Sequence, residues 1–563
     1  MKRSILLIML LLTMQAYGQS PERERVYLQT DKQLYLAGEL LWMKLYTTDA
    51  DGRLTPLSKV GYVELVAGST PEVQVMLHIA NGAGTGCIEL PHSLPTGYYR
   101  LIAYTRYMRN EGKEVFFEKT IGLINPTRRS EQASPDTAFA PVTSDSGSPA
   151  SVAPTSVASA RITSDQTRYT RRSRGELRIE GLPSESMSLA VSMAGIDPPS
   201  FVLPASVVAW KEQSARQEAP VFTGAYEAEY EGAIVEGQLI DVATNQPAGS
   251  AEIGAMLSFP GDAVHLYGGQ ADKDGRVLFF TASSPTGRNE AVTVAFNYGN
   301  GLYRIDLLSP FASPEYRPMP PLRPDSAWRS YIETRMMGLR MQEAYIADSL
   351  SRIAASPWHF RHTPTRVYRF DDYTRFDRMD VTFTEFIPQA RIIQTPTGRT
   401  FNTMIEGQAG YTTGSPLLLL DNIPVTDHEQ MASYNPSLIK SLTVYLGRYK
   451  WGGLIFDGVL SFETFSHNYP GVSFGASTQL FDYNAPLPFR YFYAPVYEES
   501  REKSRLPDFR HTLLWEPSIE SHGQPAITLP FYTSDLPGEY LITLEGIGSE
   551  GSIARSTCRI TVE

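Results

Sequence analysis

The sequence predicts a mainly β, multi-domain protein: tandem antiparallel β-sandwiches, one small α/β module and a single long helix. Three observations carry that reading. The chain has 563 residues, and at ~100–200 residues per domain it holds several domains. Aromatic residues make up 11%, with 31 Tyr and 25 Phe against 6 Trp, beside 43 Gly and 40 Pro, a balance that favours short strands joined by turns. Along most of the chain apolar and polar residues alternate in short runs bounded by Gly, Pro, Asn and Asp, and the period lengthens to that of a helix in one long stretch only.

Composition also excludes function classes. Hydrophobic residues are 42% and charged residues 20%, which fits neither wholesale disorder nor a polytopic helical membrane protein. A net charge of −11 argues against a general nucleic-acid binder, which needs clustered Lys and Arg. The two cysteines, Cys87 and Cys558, cannot build a disulfide framework or a multi-cysteine metal site. At the start, Lys2 and Arg3 precede an apolar run from Ile5 to Met14, followed by Ala16-Tyr17-Gly18. This is the pattern of a cleaved export signal over residues 1–18, too short to span a bilayer. No cysteine follows for lipidation, and no later stretch is apolar enough for a transmembrane helix.

Residues 26–125 alternate as strands, among them Leu40-Leu41-Trp42-Met43-Lys44-Leu45-Tyr46 and Tyr98-Tyr99-Arg100-Leu101-Ile102-Ala103-Tyr104, with turns at Asp49-Ala50-Asp51-Gly52 and Leu94-Pro95-Thr96-Gly97. Strands at this spacing indicate a sandwich. The segment from Tyr27 through Thr30-Asp31-Lys32, Tyr35 and Gly38-Glu39 resembles the opening of a macroglobulin domain, the repeating sandwich of the alpha-macroglobulin and complement proteins. The run Ala103–Asn110, with Phe116-Phe117, resembles the version in exported proteins of Bacteroidetes-type bacteria. Residues 126–160 are rich in Ser, Pro, Ala and Thr, too poor in apolar surface to offset ordering, and read as a disordered linker. Ser164-Asp165-Gln166…Tyr169 then repeats the earlier Thr-Asp-Lys…Tyr, and a second macroglobulin-like sandwich is expected over 161–222.

Gly232–Asp241, Asn245-Gln246-Pro247 and Asp272-Lys273-Asp274-Gly275 resemble a carboxypeptidase-regulatory-like sandwich, a non-catalytic module, over 231–310. The Asp-Lys-Asp-Gly piece lacks the further spaced oxygens and terminal Glu of a calcium loop and reads as a hairpin turn. Helical spacing and helix formers mark 327–355 as the one long helix, with Met336, Met337 and Met341 packing beneath it. In 366–466, Leu417-Leu418-Leu419-Leu420 is an apolar run bounded by turns, a fully buried strand. It leads into Asp421-Asn422-Ile423-Pro424-Val425, then Ile439–Tyr445, Tyr449, and Phe456-Asp457-Gly458. This resembles the plug domain of TonB-dependent outer-membrane receptors. A receptor barrel of ~9–11 residues per strand needs several hundred residues after its plug, and fewer than a hundred follow Phe465 here, so the expectation is a plug-like module serving without its pore rather than a transporter. The last segment, 472–563, reads as a C-terminal β-sandwich.

Catalytic motifs fail on their contexts. Gly471-Val472-Ser473-Phe474-Gly475 has the letters of a nucleophile elbow but is followed by Pro486 and Pro488 rather than a helix. Gly86-Cys87-Ile88-Glu89-Leu90 has Leu where a macroglobulin thioester would need Gln. His428-Glu429 lacks the second His of a zinc helix, residue 432 being Ala, and His359 and His362 lack a third ligand. No cofactor or metal is expected.

The expected function is therefore a non-enzymatic binding or scaffold role in the cell envelope, periplasmic or outer-membrane associated. The plug-like module would dock an outer-membrane or envelope protein, and Asp421, Asn422, Pro424, Tyr449 and Gly458 are its candidate docking or turn residues. That module, without a barrel to fill, is expected to keep its outer surface free. The alternative is a macroglobulin-type protease-binding protein without a thioester, with 126–160 as bait. A hydrolase at Ser473 or a carbohydrate-binding sandwich is a weaker third reading.

Overall fold

A computed structural model describes residues 22–128, 159–198, 201, 206–216, 220–249, 253–260, 265–282, 286–297, 301–312, 319, 321–345, 363–497 and 507–563, apart from 69, 325 and 397. The chain is mainly β and multi-domain, as its pattern predicts. It divides into two compact units that exchange the chain repeatedly. Unit 1 takes residues 1–230, 312–353 and 489–563, and unit 2 takes 231–311 and 354–488. The expected export signal, most of the expected linker (129–158), and His359 and His362 lie outside the described residues.

In unit 1 the first sandwich follows the strand order Arg25–Thr30, Leu40–Thr48, Ala83–Glu89, Thr70–Ala80, Val60–Ala67, Gly97–Tyr104, Phe117–Ile124, Leu34–Leu36. All neighbours are antiparallel except Leu34–Leu36, which runs parallel to Phe117–Ile124. The long strand Thr70–Ala80 pairs with Val60–Ala67 over most of its length and with Ala83–Glu89 at its end, so both sheets share it. The tyrosines Tyr35, Tyr46, Tyr62, Tyr99 and Tyr104 of this sandwich are all at most 1% exposed.

The segment 27–39 is a hydrogen-bonded lock. Asp31 accepts from the Tyr35 hydroxyl at 2.8 Å and from the Trp42 amide at 3.2 Å. The same lock recurs 134 positions on, where Asp165 accepts from the Tyr169 hydroxyl at 2.5 Å and the Glu176 amide at 2.8 Å. The left-handed residue of the turn is repeated too, Gly38 at φ 92° and Arg172 at φ 54°. A carboxylate that holds both a tyrosine four residues on and an amide eleven on fixes how the chain turns into its next strand, so the repeat is one of structure as well as letters.

The second sandwich differs from expectation. Residues 161–222 and 472–563 do not form separate sandwiches. One sheet has the order Arg168–Tyr169, Ile553–Val562, Gly538–Gly548, Met187–Gly195, Thr512–Glu520, and the facing sheet the order Ala526–Tyr532, Arg174–Glu180, Arg161–Ser164. One core spans both chain segments, with Leu177, Leu189 and Met193 against Leu513, Ile542 and Ile560. Residues 161–195 supply only four strands, two of them very short, and cannot cover two sheet faces; the C-terminal strands complete the sandwich. Val207–Arg216 is a helix rather than part of it, and Thr478–Asn484 belongs to unit 2.

The long helix is Arg329–Tyr345, entered through a 3-10 turn at Ser326–Trp328; the rest of the expected 327–355 lies outside the described residues. Its Trp328, Tyr331, Ile332 and Met336 pack on Leu34, Leu36, Ile124 and Phe201. Met337, by contrast, is 53% exposed. No helix among the described residues is long and apolar enough to cross a membrane.

Unit 2 joins two expected domains into one body. One sheet carries Ala233–Asp241 between Arg276–Thr281 and the pair Gln246–Pro247 and Tyr303–Leu307. The other has the order His265–Gln270, Gly254–Phe259, Arg288–Phe296, Thr478–Asn484, so 231–310 borrows its last strand from beyond the plug-like segment. The Asp272–Gly275 turn is tight, with Asp272 accepting from the Asp274 and Arg276 amides at 2.9 Å each. Its flanking strands pair with different sheets, however, so it crosses the sandwich instead of closing a hairpin.

Candidate functional site

Residues 366–464 hold a five-stranded sheet of order Arg366–Arg369, Ile439–Trp451, Leu454–Thr464, Leu417–Leu420, Ile423–Val425. Leu417–Leu420 runs parallel to Leu454–Thr464 and antiparallel to Ile423–Val425. The helix His428–Ala432 and the turn Pro436–Leu438 make the crossover to Ile439–Trp451. Asp427 caps that short helix by accepting from the Gln430 amide at 3.0 Å.

Four consecutive leucines are buried because the two faces of their strand meet different cores. Leu418 and Leu420 pack with Met379, Phe383, Phe401 and Met431 on the helical side. Leu417 and Leu419 pack with Met256, Leu266, Phe456 and Val459. The outer face expected to stand free is thus covered by the neighbouring sandwich of the same unit, because a sheet this apolar on both sides buries both. Apolar side chains left exposed around the module are Val367 (47%), Tyr373 (36%), Ile405 (37%), Ile455 (54%) and Phe465 (51%).

The five candidate residues lie mostly inside this construction. Asp421 and Asn422, at φ 48° and 70°, form the two-residue turn that suits a tight hairpin. The Asp421 carboxylate is buried and accepts from the Thr464 amide and hydroxyl at 2.7 Å each and from the Tyr469 amide at 2.8 Å. The Asn422 carbonyl accepts from the Ser258 hydroxyl at 2.6 Å. Pro424 is buried in the edge strand, where a missing N–H costs no ladder bond. Tyr449 is half-buried, its ring stacked 5.7 Å from Trp451 and its hydroxyl donating to the Leu446 carbonyl at 3.0 Å. Gly458 has φ 105°, and a Cβ there would sit 2.7 Å from the Thr403 side chain. Asp421 and Asn422 therefore shape the hairpin at one end of Leu417–Leu420, beside Thr464, while Gly458 lies beyond the other end, next to the Leu417–Val459 pair and two residues from Phe456, the partner of Tyr449.

The residues set aside as catalysts also occupy structural positions. His428 Nδ1 is 2.9 Å from the Thr400 hydroxyl, and burial lowers the imidazole to about 4. Glu429 is held down to about 2 by hydrogen bonds from Arg399. Burial pushes the Cys87 thiol up to about 12, unsuited to a nucleophile. Ser473 is followed by the strand Thr478–Asn484 and no helix. No group of three or more His, Cys, Asp or Glu suited to a metal occurs among the described residues.

Sequence reasoning missed a polar cavity of about 60 Å³ in unit 1, lined by Lys32, Glu39, Trp42, Arg335, Gln342 and His511 among others. Glu39 accepts from Arg335 and from the Leu36 amide. Asp31 accepts from Lys32 at 2.9 Å and from the Thr512 hydroxyl at 3.0 Å. Burial, reinforced by Arg335 and Lys32, holds His511 well below its usual range. Only the Thr-Asp-Lys…Gly-Glu half of this cluster carried a signal in the sequence; its partners lie about 300 to 480 residues away.

No protein-family profile and no curated protein matches the chain. Among solved structures it is similar to Salmonella alpha-2-macroglobulin reacted with methylamine, with 9% identity over 97% of this chain and 40% of that one and a TM-score of 0.24. It is similar to Escherichia coli alpha-2-macroglobulin activated by porcine elastase at 10% identity, 96% and 44% coverage and a TM-score of 0.23. For the Yersinia pseudotuberculosis adhesin InvE the values are 11% identity, 52% and 61% coverage and a TM-score of 0.14. The chain spans about 40% of the length of the macroglobulins it matches, and scores of this size do not define a common fold.

Proposed function

We propose that this chain is an exported, non-enzymatic binding and scaffold protein of the cell envelope, whose unit 2 docks an outer-membrane protein through its plug-like module. The observation that carries the reading is the Leu417–Leu420 sheet. It has the strand–hairpin–crossover order of the plug resemblance and is packed between two cores of its own unit, so the module needs no barrel to fold. His428, Glu429 and Cys87 hold structural positions instead. Deleting 366–466 would strip Leu417 and Leu419 from the Met256 and Leu266 layer, so the test uses surface substitutions. Tagged protein is purified from envelope membranes with and without Ile405→Asp and Phe465→Asp. Recovery of an outer-membrane barrel protein by the unaltered chain alone supports docking by the module. Equal recovery by both moves the binding role to unit 1.

A second reading, a macroglobulin-type protease-binding protein without a thioester, draws on the repeated Asp–Tyr lock of unit 1. A protease that cuts the chain and is then shielded from large substrates favours it, and one that stays fully active toward them opposes it.

A further inference from the structure

The helix Arg329–Tyr345 belongs to unit 1, yet in sequence it stands between the two segments of unit 2. What holds it down beyond its apolar face is one polar cluster. Arg335 is 3% exposed and donates to Glu39, to the Leu34 carbonyl at 3.0 Å and to the Tyr331 hydroxyl. Tyr331 donates to Asp197 at 2.7 Å, and its ring meets the His511 ring edge-on at 5.6 Å. His511 thus sits where the helix, the Asp31–Glu39 turn and the composite sandwich converge.

The surroundings of that ring suit a neutral imidazole. Nε2 is buried without a hydrogen-bond partner among the described residues, while the ring is hydrogen-bonded to the Gly195 backbone. The charges facing it are Arg335 on the helix and Lys32 on the turn, both cationic. The nearby carboxylates are already engaged: Glu39 with Arg335, Asp31 with Lys32 and Thr512, Asp197 with Tyr331, and Asp508 with Arg510. A proton added to His511 would find two cations and, among the described residues, no free carboxylate.

We propose that His511 is an acid-sensitive latch for the helix Arg329–Tyr345: protonated, the ring repels Arg335 and Lys32, and the helix releases from the sandwiches. The direction follows from linkage. A histidine whose proton is disfavoured in the closed form stabilises that form above about pH 6.5, and the contribution is lost as pH falls below it. The neighbouring carboxylates do not mimic this. Glu39 is held below its usual range by Arg335, so its loss belongs below about pH 4.5. Asp197 is raised by burial and acts in the opposite sense.

The test is amide hydrogen exchange of the full chain between pH 7.5 and 5, corrected for intrinsic rates, on the unaltered protein, His511→Phe and His511→Gln. Opening of Arg329–Tyr345 is expected to rise about tenfold per pH unit below 6.5 in the unaltered chain, while Val60–Ala67 stays protected. The rise should vanish in both variants; whichever variant packs poorly, the other still reports. A helix equally protected at pH 7.5 and 5, or the same rise without His511, overturns the latch.

Discussion

Lys44→Met is expected to stabilise unit 1 at neutral pH, although it removes two hydrogen bonds. Lys44 is 1% exposed on Leu40–Thr48, at the seam with the composite sandwich. Its Nζ donates to the Ser188 hydroxyl and the Leu189 carbonyl at 2.9 Å each and lies 4.8 Å from the Tyr46 ring. No carboxylate among the described residues lies within ion-pair distance, and burial lowers the amine from 10.5 to about 7, with Glu520 and Glu516 opposing. That difference corresponds to about 5 kcal/mol of cost at and below pH 7. As pH rises the unfolded chain stays protonated up to about 10.5, so stability should climb by about 1.4 kcal/mol per unit between 7 and 10.5. Methionine fills similar volume without the amine. The lost hydrogen bonds give back about 1–3 kcal/mol, less because Ser188 still donates to Glu520 at 2.6 Å. The net gain is about 2–4 kcal/mol at pH 7 and, at about 1.4 kcal/mol per unit, is gone between about pH 8.5 and 10. Denaturant unfolding followed by tryptophan fluorescence checks it, since Trp42, Trp210, Trp328 and Trp515 all lie in unit 1. A variant less stable at every pH, or a pH-independent difference, would refute the reasoning.

Two further expectations concern how each unit closes. Asp421→Ala should cost unit 2 about 2–4 kcal/mol, because the Thr464 and Tyr469 amides lose their acceptor. Gly458→Ala should cost about 2–3 kcal/mol from the left-handed φ and the Thr403 contact. Gly407→Ala, at φ 71° in open space, should cost only about 1 kcal/mol; thermal melts of the three variants would separate packing from backbone strain. Removing 507–563 should leave Arg25–Ile124 protected in hydrogen exchange while Arg161–Gly195 loses protection, since its core partners Leu513, Ile542 and Ile560 are gone.

Local features were legible wherever their cause was local. The alternation of Leu40–Tyr46, the burial of Leu417–Leu420 and the Asp421-Asn422 hairpin follow from period, apolarity and turn chemistry within a few residues. The repeat of Asp31 and Tyr35 in Asp165 and Tyr169 was visible as letters, because one lock needs the same side chains at the same spacing. The helix was legible too, and its partner was not: nothing near Arg335 names Glu39.

What the sequence by itself determined was the class of the protein, many antiparallel strands and few helices, because hydrophobic period and turn residues act over short range. Only the tertiary structure decided which strands share a sheet. Residues 161–195 close with 512–562, and 231–310 closes with 478–484, because a strand pairs through backbone hydrogen bonds and a buried face that any apolar strand can supply. Sequence pattern states that a face must be covered; it does not state by which segment. The same holds for His511, whose environment is built by Lys32 and Arg335 and exists only once those distant segments have folded together.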